Sequence, residues 1–281
     1  MTDKRLAEFL RMVSPVFGRA EALSLARIIR EDVFDGKPFD RLEAGEERRL
    51  ADIERRLAAG EPLQYILGQA DFYGLKLRVT PDVLIPRMET ESLVYEAIRT
   101  AKDRPPPLRI LDVGTGSGCI ALALKQALPA ARITAIDVSS DALGVATDNA
   151  RRLNLAVDFL LVDFLRAAER DRLGTYDLIV SNPPYIPPTE RNRMPAYVKD
   201  REPAQALFVP DEDPYLFYKA IADFGRSHLT DDGTILVELN EFRAPAIREV
   251  FTEAGYVTRL YRDLADAPRV LAATKNPLPP Q

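Results

Sequence analysis

The chain has 281 residues, 46% of them hydrophobic, which is enough for one large domain and a smaller one. Its net charge of −5 argues against a general binder of nucleic-acid phosphates, and its single cysteine and single histidine exclude an intrachain disulfide and a structural zinc site of the Cys/His type, so no metal is expected. No apolar stretch approaches the ~20 residues that span a bilayer, and no signal peptide is evident, so a soluble cytoplasmic protein is expected.

Residues 1–60 carry the spacing of short amphipathic helices. Apolar side chains recur three or four positions apart around residues 6–13, 23–29 and 50–57. Twelve basic and twelve acidic residues balance one another in this region. A neutral helical module suits protein recognition better than DNA binding, although it could equally be a cap that packs on its neighbour. We predict a helical substrate-recognition domain over 1–60.

Residues 61–107 are predicted to form a β-hairpin and a linker. The pattern of Phe72-Tyr73-Gly74 followed by alternating Leu75, Leu77 and Val79 is typical of a hairpin. A helix is predicted to end near Thr100, and a proline-rich stretch over 103–107 predicts a stiff connection to the next domain.

Residues 108–281 alternate strand and helix patterns, as α/β proteins do. The strands are predicted at 108–113, 132–137, 157–162, 176–181 and 233–239, with a terminal hairpin over 256–261 and 269–273. The helices are predicted at 118–127, 140–153, 213–228 and 243–254. Seven prolines stiffen the segment 183–212, which lies where an active-site lid would lie but could also be a surface insertion.

A glycine-rich turn follows the first strand of this domain. Asp112-Val113 leads into Gly114-Thr115-Gly116-Ser117-Gly118, where glycines let the backbone approach a ligand at a helix N-terminus. Nicotinamide, flavin and methyl-donor enzymes share such turns, but the G-x-G-x-G spacing differs from the dinucleotide fingerprint. A carboxylate at Asp112 would repel a pyrophosphate and suits a zwitterionic amino-acid group or a cation.

Acidic residues close the next two predicted strands. Asp137 ends the second strand, where a carboxylate can accept both ribose hydroxyls of an adenosine-containing donor or of NAD. Asp163-Phe164 ends the third strand, where a carboxylate and an aromatic ring can bracket an adenine. Each acid alone could be a helix cap or a solvated loop residue. Together with Asp112 they stand at three successive strand ends, which favours a cofactor site.

Asn182-Pro183-Pro184-Tyr185 directly follows the apolar run 176–181, which we predict to be a buried parallel strand. Ligands of open α/β sheets bind at this carboxyl edge. The tetrapeptide places there a carboxamide, carbonyls that stay free as acceptors, and an aromatic face. One side-chain oxygen and one free carbonyl can hold both hydrogens of a planar NH2 group, which is the ligand that we predict.

The glycine turn, Asp137 and Asp163 resemble the class I S-adenosylmethionine-dependent methyltransferases, and Asn182-Pro183-Pro184-Tyr185 resembles those that methylate a planar amino group. Segments 61–68, 72–74 and 84–91 are similar to the protein-(glutamine-N5) methyltransferases of the HemK or PrmC type, which modify the Gly-Gly-Gln glutamine of peptide chain release factors. The similarity covers nearly the whole chain. It implies a Rossmann-like, mostly parallel seven-stranded sheet with a C-terminal antiparallel hairpin, and a methyltransferase domain over 108–281.

The resemblance also implies a role for each matching residue. The expected S-adenosylmethionine ligands are Gly114, Thr115, Gly116, Ser117, Gly118, Asp137, Asp163, Phe164 and Asn182. The expected substrate ligands are Asn182, Pro183, Pro184 and Tyr185, of which Asn182, Pro183 and Tyr185 are the expected catalytic residues. A release factor is the implied partner of a monomer, with no direct nucleic-acid or membrane partner. Three residues depart from the family pattern: Met88, Pro214 and Asn240. These departures affect details of the lid and the fifth strand.

Four alternatives stay open on the sequence. A glutamine methyltransferase of a ribosomal protein shares the core motifs. An adenine-N6 nucleic-acid methyltransferase shares the tetrapeptide but needs a basic target-recognition surface. A NAD-dependent oxidoreductase could use the glycine turn and Asp137 but gives no reason for the tetrapeptide. A non-catalytic binding module would keep the fold without four aligned strand-end motifs.

Overall fold

The structure is a computed structural model that describes residues 4–102, 104–263 and 265–276. Asp103 of the predicted linker and the end of the predicted C-terminal domain lie outside the described residues. The α-helices are α1 Lys4–Phe17, α2 Arg19–Phe34, α3 Ala44–Ala58, α4 Leu63–Leu67, α5 Glu91–Ala101, α6 Cys119–Ala127, α7 Ser140–Leu153, α8 Ala167–Arg170, α9 Ala196–Lys199, α10 Ala204–Leu207, α11 Leu216–His228 and α12 Ala244–Glu253. The strands are β1 Gln69–Phe72, β2 Leu75–Arg78, β3 Arg109–Val113, β4 Arg132–Asp137, β5 Asp158–Leu161, β6 Tyr176–Ser181, β7 Leu229–Glu238, β8 Val257–Arg262 and β9 Pro268–Thr274.

The described chain forms two compact units. The helical unit contains residues 4–68 and 194–201, and the sheet unit contains residues 69–193 and 202–276. No helix among the described residues is both long enough and apolar enough to span a membrane.

The helical unit packs the apolar faces of α1, α2 and α3 against one another. Fully buried side chains from the three helices, among them Phe9, Ile29 and Leu50, form its core. Beside the core, the Arg5 guanidinium donates two 2.6 Å hydrogen bonds to the carboxylate of Glu54, which is 2% exposed. This bidentate geometry compensates the buried charge and fixes α1 against α3.

The sheet unit begins with the predicted hairpin. Strands β1 and β2 pair antiparallel through a two-residue turn at Tyr73-Gly74. Both turn residues have positive φ, 48° and 76°, as a type I′ hairpin turn requires. Gly74 adopts such a conformation at no steric cost.

A seven-stranded sheet forms the centre of the sheet unit. Its order is β5-β4-β3-β6-β7-β9-β8, and only β9 runs antiparallel to its neighbours β7 and β8. The predicted parallel sheet with a terminal antiparallel hairpin is confirmed. Strand β7 begins at Leu229 rather than at residue 233, because an irregularity between its pairings to Tyr176 and Leu178 accommodates the polar stretch Thr230–Gly233.

Helices cover both faces of this sheet. In β3, Ile110 joins the core that includes α5 and α6, whereas Leu111 joins the core that includes α11 and α12. The same alternation occurs in β6 at Leu178 and Ile179. Strands buried on both faces read as continuous apolar runs, and they bring their carboxyl ends to one edge.

Candidate active site

One cavity of about 370 Å³ opens at the carboxyl edge of the sheet unit. Its volume is in the range of small-molecule sites. Sequence-predicted site residues that line it are Gly114, Gly116, Asp137, Asp163, Phe164, Asn182, Pro183 and Pro184. The other predicted site residues lie outside this lining; they are Thr115, Ser117, Gly118 and Tyr185. Residues from four separate predicted strand ends are therefore brought together.

The glycine turn forms the floor between β3 and α6. The N–H groups of Gly114 and Thr115 donate to the carbonyl of Ile136, at 2.9 and 3.0 Å, and so fasten the turn to β4. A Cβ at Gly116 would meet open space, whereas one at Gly118 would lie 3.1 Å from Leu122. Gly116 therefore leaves room for a ligand, and Gly118 permits close packing of α6.

Asn149 of α7 holds the same turn from beneath and was not predicted. It is 1% exposed, and its Nδ2 donates 2.9 Å hydrogen bonds to the carbonyls of Ser117 and Arg78. Its Oδ1 accepts from the Arg78 N–H at 2.6 Å. One carboxamide thus ties the glycine turn to β2. No local sequence signal marks this residue, since its partners are far away in the chain.

Asp137 lies at the end of β4 and faces the cavity. Its two carboxylate oxygens accept the N–H groups of Gly116 and Ser139, each at 2.9 Å. Burial raises the pKa of Asp137, while these N–H groups oppose the shift. Because each carboxylate oxygen has a second lone pair, Asp137 can still accept a pair of ligand hydroxyls.

Phe164 follows β5 and forms an apolar wall of the cavity. Its ring meets Phe224 edge-on at 5.2 Å, and the Arg170 guanidinium lies 5.7 Å from its centroid. Arg170 pairs with Asp223 at 2.5 Å, and Asp163 pairs with Arg166 at 3.0 Å. These contacts hold a flat aromatic face at the edge of the sheet.

Asp112 is fully buried beneath the glycine turn. The Thr115 hydroxyl donates a 2.7 Å hydrogen bond to its Oδ2. Burial raises the pKa of Asp112 to about 7, against the lowering effects of Thr115 and the Ala121 N–H. This carboxyl shapes the turn from inside the sheet unit.

The tetrapeptide begins directly after β6. Asn182 lines the cavity, and its Nδ2 donates a 3.1 Å hydrogen bond to Thr90 Oγ1. Pro183 is buried and Pro184 is partly exposed, while Tyr185 packs against the core, where burial raises its pKa to about 12. The structure therefore places an amide and two prolines on the same cavity as Asp137.

A buried acid behind the tetrapeptide was not assigned a role from the sequence. Glu238, the last residue of β7, is 2% exposed, and the Tyr218 hydroxyl donates to its backbone carbonyl at 3.0 Å. Burial raises the pKa of the Glu238 carboxyl to about 7, while Thr90 and Arg269 lower it. Its position at the carboxyl edge of β7 is the signal that could have revealed it.

The proline-rich segment after the tetrapeptide contributes a second wall. Its later part lines the cavity through Pro203, Gln205 and Phe208. At the start of the segment, the Ile186 N–H donates to the carbonyl of Leu207 at 3.1 Å, and the Ile186 carbonyl accepts from Val209 at 3.0 Å.

Glu202 anchors this wall to the segment that precedes α5. It is 6% exposed, and it accepts the Ile85 N–H at 3.2 Å and the Arg87 guanidinium at 2.5 Å. These two bonds hold the residues after Glu202 in place beside the cavity.

The single cysteine and the single histidine of the chain lie elsewhere. Cys119 is the half-buried first residue of α6, and burial raises the pKa of its thiol to about 12. His228 ends α11, stacked 4.1 Å from Phe224. Neither side chain lines the cavity.

Comparison with known proteins identifies the family. Residues 93–195 match the Methyltransferase small domain family. The chain is 42% identical to the release factor glutamine methyltransferase of Bacteroides thetaiotaomicron over 245 residues, which cover 87% of this chain and 86% of that relative. This chain belongs to the release factor glutamine methyltransferase family. Another member, from Koribacter versatilis, is 39% identical over 85% of this chain and 83% of its own length.

The family membership agrees with the fold. A methyltransferase structure from Pyrococcus furiosus, 18% identical, superposes with a TM-score of 0.53 over 80% of this chain and 98% of that chain. The predicted resemblance to the HemK or PrmC type and the predicted methyltransferase fold are confirmed. As a release factor glutamine methyltransferase family member, the chain is a methyltransferase.

Proposed function

We propose that this chain transfers the methyl group of S-adenosylmethionine to the side-chain nitrogen of the Gly-Gly-Gln glutamine in peptide chain release factors. The observation that carries the proposal is that Asn182 and Pro183 line the same cavity as Asp137 and Phe164. A methyl donor held by the second pair would face an amide held by the first. The names of the family members supply the identity of the acceptor protein.

The donor side of the cavity fits S-adenosylmethionine chemically. Asp137 would accept the ribose hydroxyls, and the flat face of Phe164 would lie against the adenine. Gly114 and Gly116 have no neighbour within 4 Å of the position where a Cβ would stand, so the backbone can lie close to the ligand. When bound, S-adenosylmethionine supplies an electrophilic sulfonium methyl group.

The acceptor side of the cavity could make the weakly nucleophilic amide nitrogen of glutamine more reactive. The nitrogen lone pair of glutamine is delocalised into its carbonyl. Acceptance of both N–H groups, by Asn182 Oδ1 and by the Pro183 carbonyl, would favour a geometry with more electron density on nitrogen. Alignment of this nitrogen with the methyl group can lower the barrier to transfer by up to ~7–11 kcal/mol. Pro184 and Tyr185 would stiffen and support the pair.

The proton balance needs no dedicated base. Methylation makes the amide nitrogen strongly acidic, so one of its protons can leave to water or to the accepting oxygen. His228 and Cys119 do not line the cavity, in keeping with this mechanism. Asn182 and Pro183 then act by orientation and by hydrogen-bond acceptance.

Transfer of label from S-adenosylmethionine tests the proposal. The purified chain is incubated with labelled cofactor and, separately, with a release factor, the same factor with its motif glutamine changed to glutamate, ribosomal proteins, and DNA. We expect label only in the unchanged release factor. Label in DNA alone, or in ribosomal protein alone, would overturn the proposed acceptor.

A further inference from the structure

A polar chain runs from Asn182 into the interior of the sheet unit. Asn182 Nδ2 donates to Thr90 Oγ1 at 3.1 Å, and the Thr90 hydroxyl lies against the carboxyl of Glu238. Thr90 and Glu238 are each only 2% exposed. Thr90 occupies the N-cap position of α5, yet its side chain makes no capping bond. Its hydroxyl is therefore not used by the helix, and it accepts from Asn182 beside the Glu238 carboxyl.

The carboxylate sets the direction of the hydrogen bonds. An ionised carboxylate can only accept, so in a hydrogen bond between these two groups the Thr90 hydroxyl would be the donor. The Thr90 oxygen is then left with lone pairs, which accept from the amide nitrogen of Asn182. The Asn182 carboxamide consequently turns its Nδ2 toward Thr90, and its Oδ1 remains for a ligand in the cavity.

We propose that Thr90 and Glu238 are positioning residues that hold the Asn182 carboxamide with its oxygen toward the substrate NH2 group. This inference rests on the proposed function, because a glutamine NH2 needs an acceptor. A flipped carboxamide would place its own NH2 against that of the substrate. Rotation of the Asn182 carboxamide alone would thus turn a site that binds the substrate NH2 group into one that repels it.

Protonation of Glu238 removes the fixed direction. A carboxylic acid can itself donate to Thr90, and the hydroxyl then no longer needs to accept from Asn182. Burial raises the pKa of Glu238 to about 7, so this change falls within an accessible pH range. The titratable and charged groups that face Glu238 from neighbouring elements are Arg87, Glu89, Cys119, Tyr185, Tyr218 and Arg269.

The Asn182 side chain can be observed without any methyl acceptor. The chain has six asparagines, so selective ¹⁵N-asparagine labelling gives few side-chain signals, and Asn182→Ala assigns the relevant pair. We expect the Asn182 NH2 signals to shift between about pH 6 and pH 8.5 in the wild type, across the ionisation of a group near pH 7, and to stay constant in Glu238→Gln. Constant signals in the wild type, or the same shift in Glu238→Gln, would overturn the inference.

Turnover of the release factor supplies the kinetic test. Thr90→Val, which keeps the shape of the side chain, should lower kcat by roughly 10–100-fold with the cofactor KM unchanged, whereas Thr90→Ser should stay near wild type. Equal kcat values for the two variants would contradict the positioning role. If Thr90→Val fails to bind cofactor, the pH profiles decide: the wild-type rate should fall on the acid side of about pH 7, and Glu238→Gln should lose that limb.

The proposed function and the positioning role of Thr90 and Glu238 can be contradicted independently. A wild-type chain that methylates no release factor contradicts the proposed function. The side-chain titration of Asn182 still reports on the polar chain in that case.

Discussion

The hydroxyl of Ser181 donates a 2.7 Å hydrogen bond to the carbonyl of Val113. Ser181 ends β6 directly before the tetrapeptide, and Val113 ends β3 directly before the glycine turn. The two residues are also paired in the parallel register of these strands. A single buried bond therefore joins the segments that carry the proposed donor and acceptor halves of the site.

Ser181→Ala should destabilise the sheet unit by about 1–3 kcal/mol. The substitution leaves the Val113 carbonyl buried without this donor, and an unsatisfied buried acceptor carries that order of cost. Chemical denaturation measures the loss, with the exposed Ser227→Ala as the matched control. A change of less than about 0.5 kcal/mol, the usual range for surface substitutions, would show that the bond is dispensable.

Asp137→Asn should weaken S-adenosylmethionine binding by roughly 10–100-fold. Both carboxylate oxygens accept backbone N–H groups, and the carboxamide nitrogen of asparagine cannot replace the second acceptor. The variant also loses the charge that strengthens acceptance from ribose hydroxyls, a contribution of about 1.5–3 kcal/mol. Calorimetric titration gives the affinity, and the exposed Asp141→Asn in the first turn of α7 is the control. Unchanged affinity would remove Asp137 from the cofactor site.

Asn182→Ala should abolish methyl transfer while cofactor affinity stays within a few fold. The truncation removes the proposed acceptor for the substrate NH2 but leaves Asp137 and Phe164 in place. Loss of alignment between reacting groups can cost ~100-fold in rate. Label transfer and calorimetry measure the two properties, and the exposed Asn192→Ala serves as the control. Near-wild-type turnover would refute the mechanism.

Asp112→Asn should become more stable relative to the wild type as pH rises. Burial raises the pKa of Asp112 to about 7, above its value of about 4 in the unfolded chain. Between these values the folded chain holds the extra proton, so the wild-type free energy of unfolding falls as pH increases. Asparagine cannot ionise and keeps an acceptor for Thr115.

Between pH 5 and pH 8, the free energy of unfolding of Asp112→Asn should rise relative to that of the wild type by on the order of 1 kcal/mol per unit of pKa shift. Urea unfolding at the two pH values measures this difference. Asp171→Asn at the surface should show no such trend. The same difference between Asp112→Asn and wild type at both pH values would contradict the effect of burial.

The sequence predicted the part of the site that topology determines. Asp137, Phe164 and Asn182 each follow an apolar run, and parallel strands bring their carboxyl ends to one edge. Their joint presence in one lining follows from that rule. The two-residue turn at Tyr73-Gly74 was equally predictable, because its chemistry is local.

The supporting contacts could not be predicted in this way. Asn149 reaches Arg78 across 71 positions, and Asn182 reaches Thr90 across 92. Such pairings depend on how helices and loops pack, which periodicity does not encode. The early start of β7 at Leu229 was missed because the polar run that follows it looks like a turn in sequence. The predicted domain limits at 60 and 107 stay predictions.

The paired bonds of Ile186, to Leu207 and to Val209, close the proline-rich segment into a ring with a narrow neck. The segment therefore begins and ends at the same place in the structure. The entropy of closing such a ring grows only slowly with its length, by about 0.6 kcal/mol for each doubling. A change of length within this ring, ahead of the Glu202 anchor and of the lining residues Pro203 and Gln205, would therefore cost little closure entropy while the geometry at the neck is preserved.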